Sequence, residues 1–156
     1  LKEHPRDQVM VAVAGPLSNF ALAYVCFNLY ILTGLLFNRV FPESAVFFHL
    51  DPFTPQTFHN VPYEAFWFVV FELLGLAVLV NTVLGVFNLI PFPPLDGSWI
   101  LKALLPQKAT VLFGKFQLFG FILLLIALQL HLLEVFFYPA MVLLFVFQYV
   151  ANMCLW

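Results

Sequence analysis

Charge is what this sequence has least of: 9% of its 156 residues are charged, where a soluble domain carries about 25%. A chain with so few charges does not have the composition of a water-soluble globule. The shortage of basic residues is specific as well. Six Lys and Arg stand against eight Asp and Glu, a formal net charge of −2, which excludes the strong positive field that nucleic-acid binding needs. Cysteine is nearly absent. Cys26 and Cys154 lie far apart in apolar segments, so they form neither a disulfide framework nor a Cys-x-x-Cys metal or redox motif, and they read as inert packing residues. There is no internal repeat and no low-complexity tail. What is abundant is apolar surface: 63% of the residues are apolar, the mean hydropathy is +1.01 and there are 21 Phe. The class that fits is a polytopic membrane protein.

A helix needs about 20 apolar residues to cross the hydrocarbon core, and the sequence holds about four such stretches. They run from about Val9 to Phe37, Ala65 to Leu89, Thr110 to Leu130 and Glu134 to Trp156. The first is longer than a core of about 30 Å requires, and Gly15-Pro16 stands where a kink or a helix start would absorb the excess. The last two are separated only by His131 and Glu134 and should form a tight helical hairpin. Asn38 to Glu64 is a loop outside the membrane, where Pro42, Pro52, Pro55 and Pro62 argue against a long helix. Ile90 to Lys108 opens on Pro91-Phe92-Pro93-Pro94, and a short helix is expected over Ser98 to Leu105. The predicted fold is therefore all-α: a polytopic transmembrane helical bundle in one membrane-embedded domain over residues 1–156, with a Pro-rich break before Asp96.

Orientation follows from the basic residues near the span ends. Lys2, Arg6, Lys102, Lys108 and Lys115, five of the six, fall on one side, which is then cytoplasmic. Arg39 lies on the other side with Glu43, Asp51, Glu64 and Glu134. Most of the Phe side chains face lipid or pack between helices, while Trp67, Trp99, Trp156, Tyr63, Tyr138 and Tyr149 partly mark the interfaces.

The segment Asn88 to Gly97 is the most informative. Three prolines in four positions (Pro91, Pro93, Pro94) guarantee non-helical backbone, and at membrane depth such backbone is tolerated only where protein covers it or water fills a cavity. A carboxylate just after the break, Asp96, is a functional-site candidate by default. Its bland alternative is to cap the short helix or close a turn with Gly97. Glu72 is the one carboxylate well inside a span. It either lines a water path or groove, or sits close to the interface near Glu64. Around Gly15-Pro16, Ala14 and Ser18 are four apart and Gly15 and Asn19 share the neighbouring stripe, the small-residue spacing that lets transmembrane backbones approach. A second reading gives Ser18 or Asn19 a functional contact instead.

Asn-x-x-Pro-x-x-x-x-Asp-Gly, here Asn88, Pro91, Asp96 and Gly97 with Leu95 before the Asp, resembles a signature of the site-2 protease family of intramembrane zinc metalloproteases. Arg6-Asp7-Gln8 through Ala14-Gly15-Pro16-Leu17-Ser18-Asn19 resembles the same family's Gly-Pro transmembrane helix, and the two motifs stand in the family's order. The resemblance implies a Zn2+ site in the bilayer, in which three protein ligands leave a fourth position for a water whose pKa falls toward about 7. It implies Asp96 as the carboxylate ligand, and Asn88 as a hydrogen-bond donor to the substrate carbonyl or its oxyanion. Pro91, Pro93 and Pro94 would keep the loop from becoming helix, and Gly97 would let it come close to the metal. Asn88 also has a plainer reading, an interhelical hydrogen bond.

The family's His-Glu-x-x-His helix, which supplies two ligands and the general base, has no counterpart among these residues. The four histidines, His4, His49, His59 and His131, include no pair four apart. His49 and His59 fall in the far-side loop, and His4 in a surface segment, so they are poor partners for Asp96. Because the family carries that helix upstream of the Gly-Pro segment, the expectation is an N-terminally truncated chain. The function expected from the resemblance is zinc-dependent hydrolysis of peptide bonds in or near transmembrane segments. The expected partners are transmembrane protein substrates and the lipid bilayer. The expected place is a bacterial inner membrane, with the Asp96 loop toward the cytoplasm. A non-catalytic scaffold that binds transmembrane clients is the alternative. A small transporter with the broken segment as its site is a third reading, weakened by the lack of an inverted repeat.

Overall fold

The computed structural model describes residues 5–43, 61–132 and 134–155, with the backbone alone described for 5–8, 107–109 and 111–118. Every regular element among them is a helix. In order they are α1 (Pro5–Val40), α2 (Glu64–Asn88), α3 (Gly97–Leu104), α4 (Gln107–Gln129) and α5 (Glu134–Leu155). Most of the expected extramembrane loop, with His49 and His59, and the N-terminal Lys2 and His4 lie outside the described residues.

Local chemistry sets the helix ends. Pro5 opens α1 at the first helical position, where its missing N–H would have had no partner. Arg39 stands in the last turn, favourable for the helix dipole, and Pro42 follows as a residue that cannot extend the helix. At the start of α2 the Tyr63 carbonyl accepts from the amides of Phe66 and Trp67 at 2.9 and 3.2 Å. At its end, Leu89 and Ile90 bond back three residues to Val86 and Phe87, both at 3.1 Å, so the chain leaves the helix through a tightened turn. α4 and α5 are joined by the expected short turn, with His131 at φ 58°. Pro16 and Pro139 lie inside α1 and α5 without ending them, a tolerance common in transmembrane helices.

α1 from Val9 onward, α2 and α5 are long and apolar enough to cross a membrane. α4, the expected third span, is 23 residues long, and its described apolar stretch is the shorter Phe119–Gln129. Large apolar side chains such as Leu17, Leu22, Phe121 and Val142 are exposed, as residues facing lipid are.

The chain forms two compact units, Leu1–Phe20 with Val83–Ala140 and Ala21–Thr82 with Met141–Trp156. Between apolar helices in lipid there is little hydrophobic drive, and association rests on close packing and hydrogen bonds. The second unit shows both. Phe71 of α2 meets Tyr30 and Phe37 of α1 edge-on at 5.2 and 5.6 Å, Trp67 meets Phe37 at 5.2 Å, and Phe27 stacks on Phe147 of α5 at 4.5 Å. The Asn38 side-chain amide donates to the Leu155 carbonyl at 3.1 Å. Glu72 is half-buried on α2 in this unit. In the first unit the Phe20 ring lies over Gly85, Phe87 stacks on Phe137 at 6.2 Å, and the Pro-rich loop packs on α4.

Candidate functional site

The loop between α2 and α3 is a chain of consecutive turns. Phe92 N–H donates to Ile90 O at 2.8 Å, Leu95 to Phe92 at 2.9 Å, Ser98 to Leu95 at 3.0 Å and Trp99 to Asp96 at 3.0 Å. Prolines have no N–H to leave unpaired, and the Pro93-Pro94 peptide is cis. Pro91 and Pro94 point outward, while Ile90, Pro93, Leu95, Gly97 and Ser98 are buried. Ile90 and Leu95 share one apolar cluster with Leu124 and Ala127 of α4, with Phe87 and Phe92 packed against it. The loop is therefore held by apolar side chains on its inner side, and Asp96 is its one polar side chain.

Gly97 comes so close to the end of α2 that a Cβ on it would meet the carbonyl oxygens of Leu89 and Ile90. Backbone atoms cannot yield there, so the loop closes on itself only with glycine at this position. Asp96 stands just before α3 but does not cap it. Its own backbone is helical, at φ −59° and ψ −36°, and its carboxylate makes no capping hydrogen bond. A capping side chain normally hangs from extended backbone, and helical backbone at Asp96 withholds that geometry. The half-buried carboxylate turns instead toward α1, where it lies against Gly15: a Cβ on Gly15 would collide with Asp96 Oδ2 and sit 3.2 Å from Cγ.

The sequence-derived candidates are thus distributed unevenly. Gly15 and Asp96, far apart in sequence, are brought into contact. Pro16 beside them is fully buried. Ala14 and Ser18 are exposed, and the Ser18 hydroxyl donates to the Gly15 carbonyl of its own helix at 2.7 Å. Asn19 is half-buried on α1, and Asn88 is half-buried as the last residue of α2. His131 is exposed in the α4–α5 turn, where its Nδ1 lies 2.6 Å from Glu134 Oε1. One residue that the sequence did not mark is Ser98. It is fully buried, and its hydroxyl has no hydrogen-bond partner among the described residues, yet serine near a helix start is too common to signal anything. On α3, the Lys102 ammonium lies 4.5 Å from the centre of the Trp99 ring.

A catalytic zinc takes three protein donors and keeps one position open. Asp96 fits the part of one donor, since no helix cap engages its carboxylate and a side chain at position 15 would take its place. Among the described residues no three His, Cys, Asp or Glu side chains form a metal-binding group. The described residues offer one candidate donor, not a set.

Comparison with known proteins agrees with the two motifs. The sequence model of the family described as Peptidase family M50 matches residues 1–128, from α1 through most of α4 and including the whole Pro-rich loop. A protein of Bacillus subtilis (strain 168) named "Putative zinc metalloprotease YwhC" is 30% identical over 121 residues, which cover 76% of this chain and 44% of that protein. The chain thus spans less than half the length of this relative. No solved structure matches the chain.

Proposed function

The chain belongs to peptidase family M50, and from that membership we propose that it is part of an intramembrane zinc metalloprotease of the site-2 type, with Asp96 as one of the zinc ligands. The observation that carries this reading is the Asp96 carboxylate. It stands at the head of a helix without capping it, on a loop that prolines keep out of helical form and α4 holds in place. The two further ligands and the general base would come from a His-Glu-x-x-His helix, which these 156 residues do not contain. Zinc, when bound, supplies Lewis acidity that polarises a peptide carbonyl.

The chain's own residues have separate tasks in this scheme. Asn88, half-buried at the end of α2, donates from its side-chain amide to the carbonyl oxygen of the scissile peptide, where negative charge develops. Pro91, Pro93 and Pro94 withhold amide protons that would otherwise need partners in the membrane. Gly97 closes the loop. Substrates are transmembrane segments of other proteins, unwound locally to present a carbonyl. The loop faces the cytoplasm of a bacterial inner membrane, the side that holds most of the basic residues.

The test uses the complete protein purified in detergent, with zinc content and cleavage of a transmembrane reporter measured for wild type and Asp96→Asn. About one zinc per site is expected in wild type, with both zinc and cleavage lost in the variant. Unchanged zinc and cleavage in Asp96→Asn would overturn the ligand assignment. A wild-type protein without zinc would point instead to a non-catalytic membrane protein that binds transmembrane clients.

A further inference from the structure

We infer that Gly15 is a positioning residue for Asp96: the bare backbone of α1 at this point is the wall against which the carboxylate is set. The inference rests on the reading of Asp96 as a metal ligand, and it assigns that reading a second residue on a different helix. Asp96 Oδ2 occupies the volume that a side chain at position 15 would need, with Cγ 3.2 Å from where the Cβ would be. Two features make α1 a firm support there. Pro16 is fully buried, and the Ser18 hydroxyl is tied to the Gly15 carbonyl at 2.7 Å. With no capping bond to hold it, the carboxylate depends on such packing for its orientation. One oxygen is turned against α1, which restricts rotation of the side chain and leaves the other oxygen to define the ligand direction. Ligands have to be held within about 0.5 Å of the productive geometry by their surroundings.

This arrangement predicts a particular failure. A methyl group at position 15 meets the far end of a flexible side chain, not backbone, so Asp96 swings away while the helices stay where they are. The fold survives and the ligand is misplaced. A purely structural glycine would behave in the opposite way, losing stability first.

The experiment measures zinc affinity and the Tm of the metal-free form for the complete protein in detergent, comparing wild type, Gly15→Ala, Asp96→Ala and the double variant. Gly15→Ala is expected to weaken zinc binding about 10–100-fold, the range found when groups behind a ligand are removed. In the Asp96→Ala background the added methyl enters the space the carboxylate left, so its effect on Tm should vanish. Wild-type zinc affinity in Gly15→Ala overturns the inference while leaving Asp96 as a ligand. So does an equal loss of Tm in both backgrounds, because the methyl then collides with something other than Asp96. A wild-type protein that binds no zinc overturns the metalloprotease reading, and this inference with it.

Discussion

Gly120 of α4 lies directly on Pro93: a Cβ on Gly120 would sit 2.7 Å from the Pro93 Cβ and 2.8 Å from both its carbonyl carbon and oxygen. This close approach at the Pro-rich loop differs in kind from the one at Gly15. There the neighbour is the far end of a side chain, whereas here it is backbone and a rigid ring.

Gly120→Ala should therefore push the loop or the helix away bodily. Overpacking of this kind is expected to cost about 1–3 kcal/mol. It should appear as a lower Tm in detergent and faster proteolysis in the loop, with or without metal. Wild-type Tm in this variant would show that α4 does not hold the loop at Pro93.

Ser98→Ala should leave stability unchanged or raise it. A buried hydroxyl without a partner carries a desolvation penalty of about 1–3 kcal/mol, and the Ser98 hydroxyl has none among the described residues. Alanine removes the penalty and very little volume. A clear loss of Tm in the metal-free protein would mean that the hydroxyl is hydrogen-bonded in solution.

Asn38→Ala removes the donor to the Leu155 carbonyl. The last four carbonyls of a helix have no partners of their own, so this side chain serves as a cap for α5 supplied by α1. A loss of about 0.5–1.5 kcal/mol is expected, with faster hydrogen exchange confined to the last turn of α5. Exchange that is unchanged there, or raised evenly along the helix, would count against the cap.

Phe71→Ala opens a hole among Tyr30, Phe37 and Trp67, whose rings surround a side chain that is only 1% exposed. The loss is expected to be about 3 kcal/mol or more, and Phe71→Leu should recover part of it. Equal stability of the alanine variant and wild type would place Phe71 on the lipid side of α2.

Much of the fold was legible from residue order. Apolar runs near the length of a bilayer crossing, ended by prolines and by short polar stretches, predict helices whose observed limits differ by a few residues. α1 begins earlier than expected because Pro5 opens a helix, and α3 begins at Gly97 because Asp96 is already helical. The break at Pro91 to Pro94 was readable for a local reason: proline lacks an amide proton wherever it stands. So was the family, because its motifs are contiguous in sequence.

The partners of each helix face were not legible. In a soluble protein the alternation of apolar and polar residues shows which side is buried, but here Leu17 and Phe121, both exposed, are as apolar as the buried Phe71 and Leu124. Sequence alone therefore determined that this is an integral membrane protein of helices with a proline-held loop and one carboxylate at its end. Only the tertiary structure decided that this carboxylate leaves the helix cap unmade and rests on Gly15, and that Ser98 is buried without a partner among the described residues. Those outcomes depend on which helices approach one another, and close approach is set by the fit of small residues to their neighbours, which no single stretch of sequence contains.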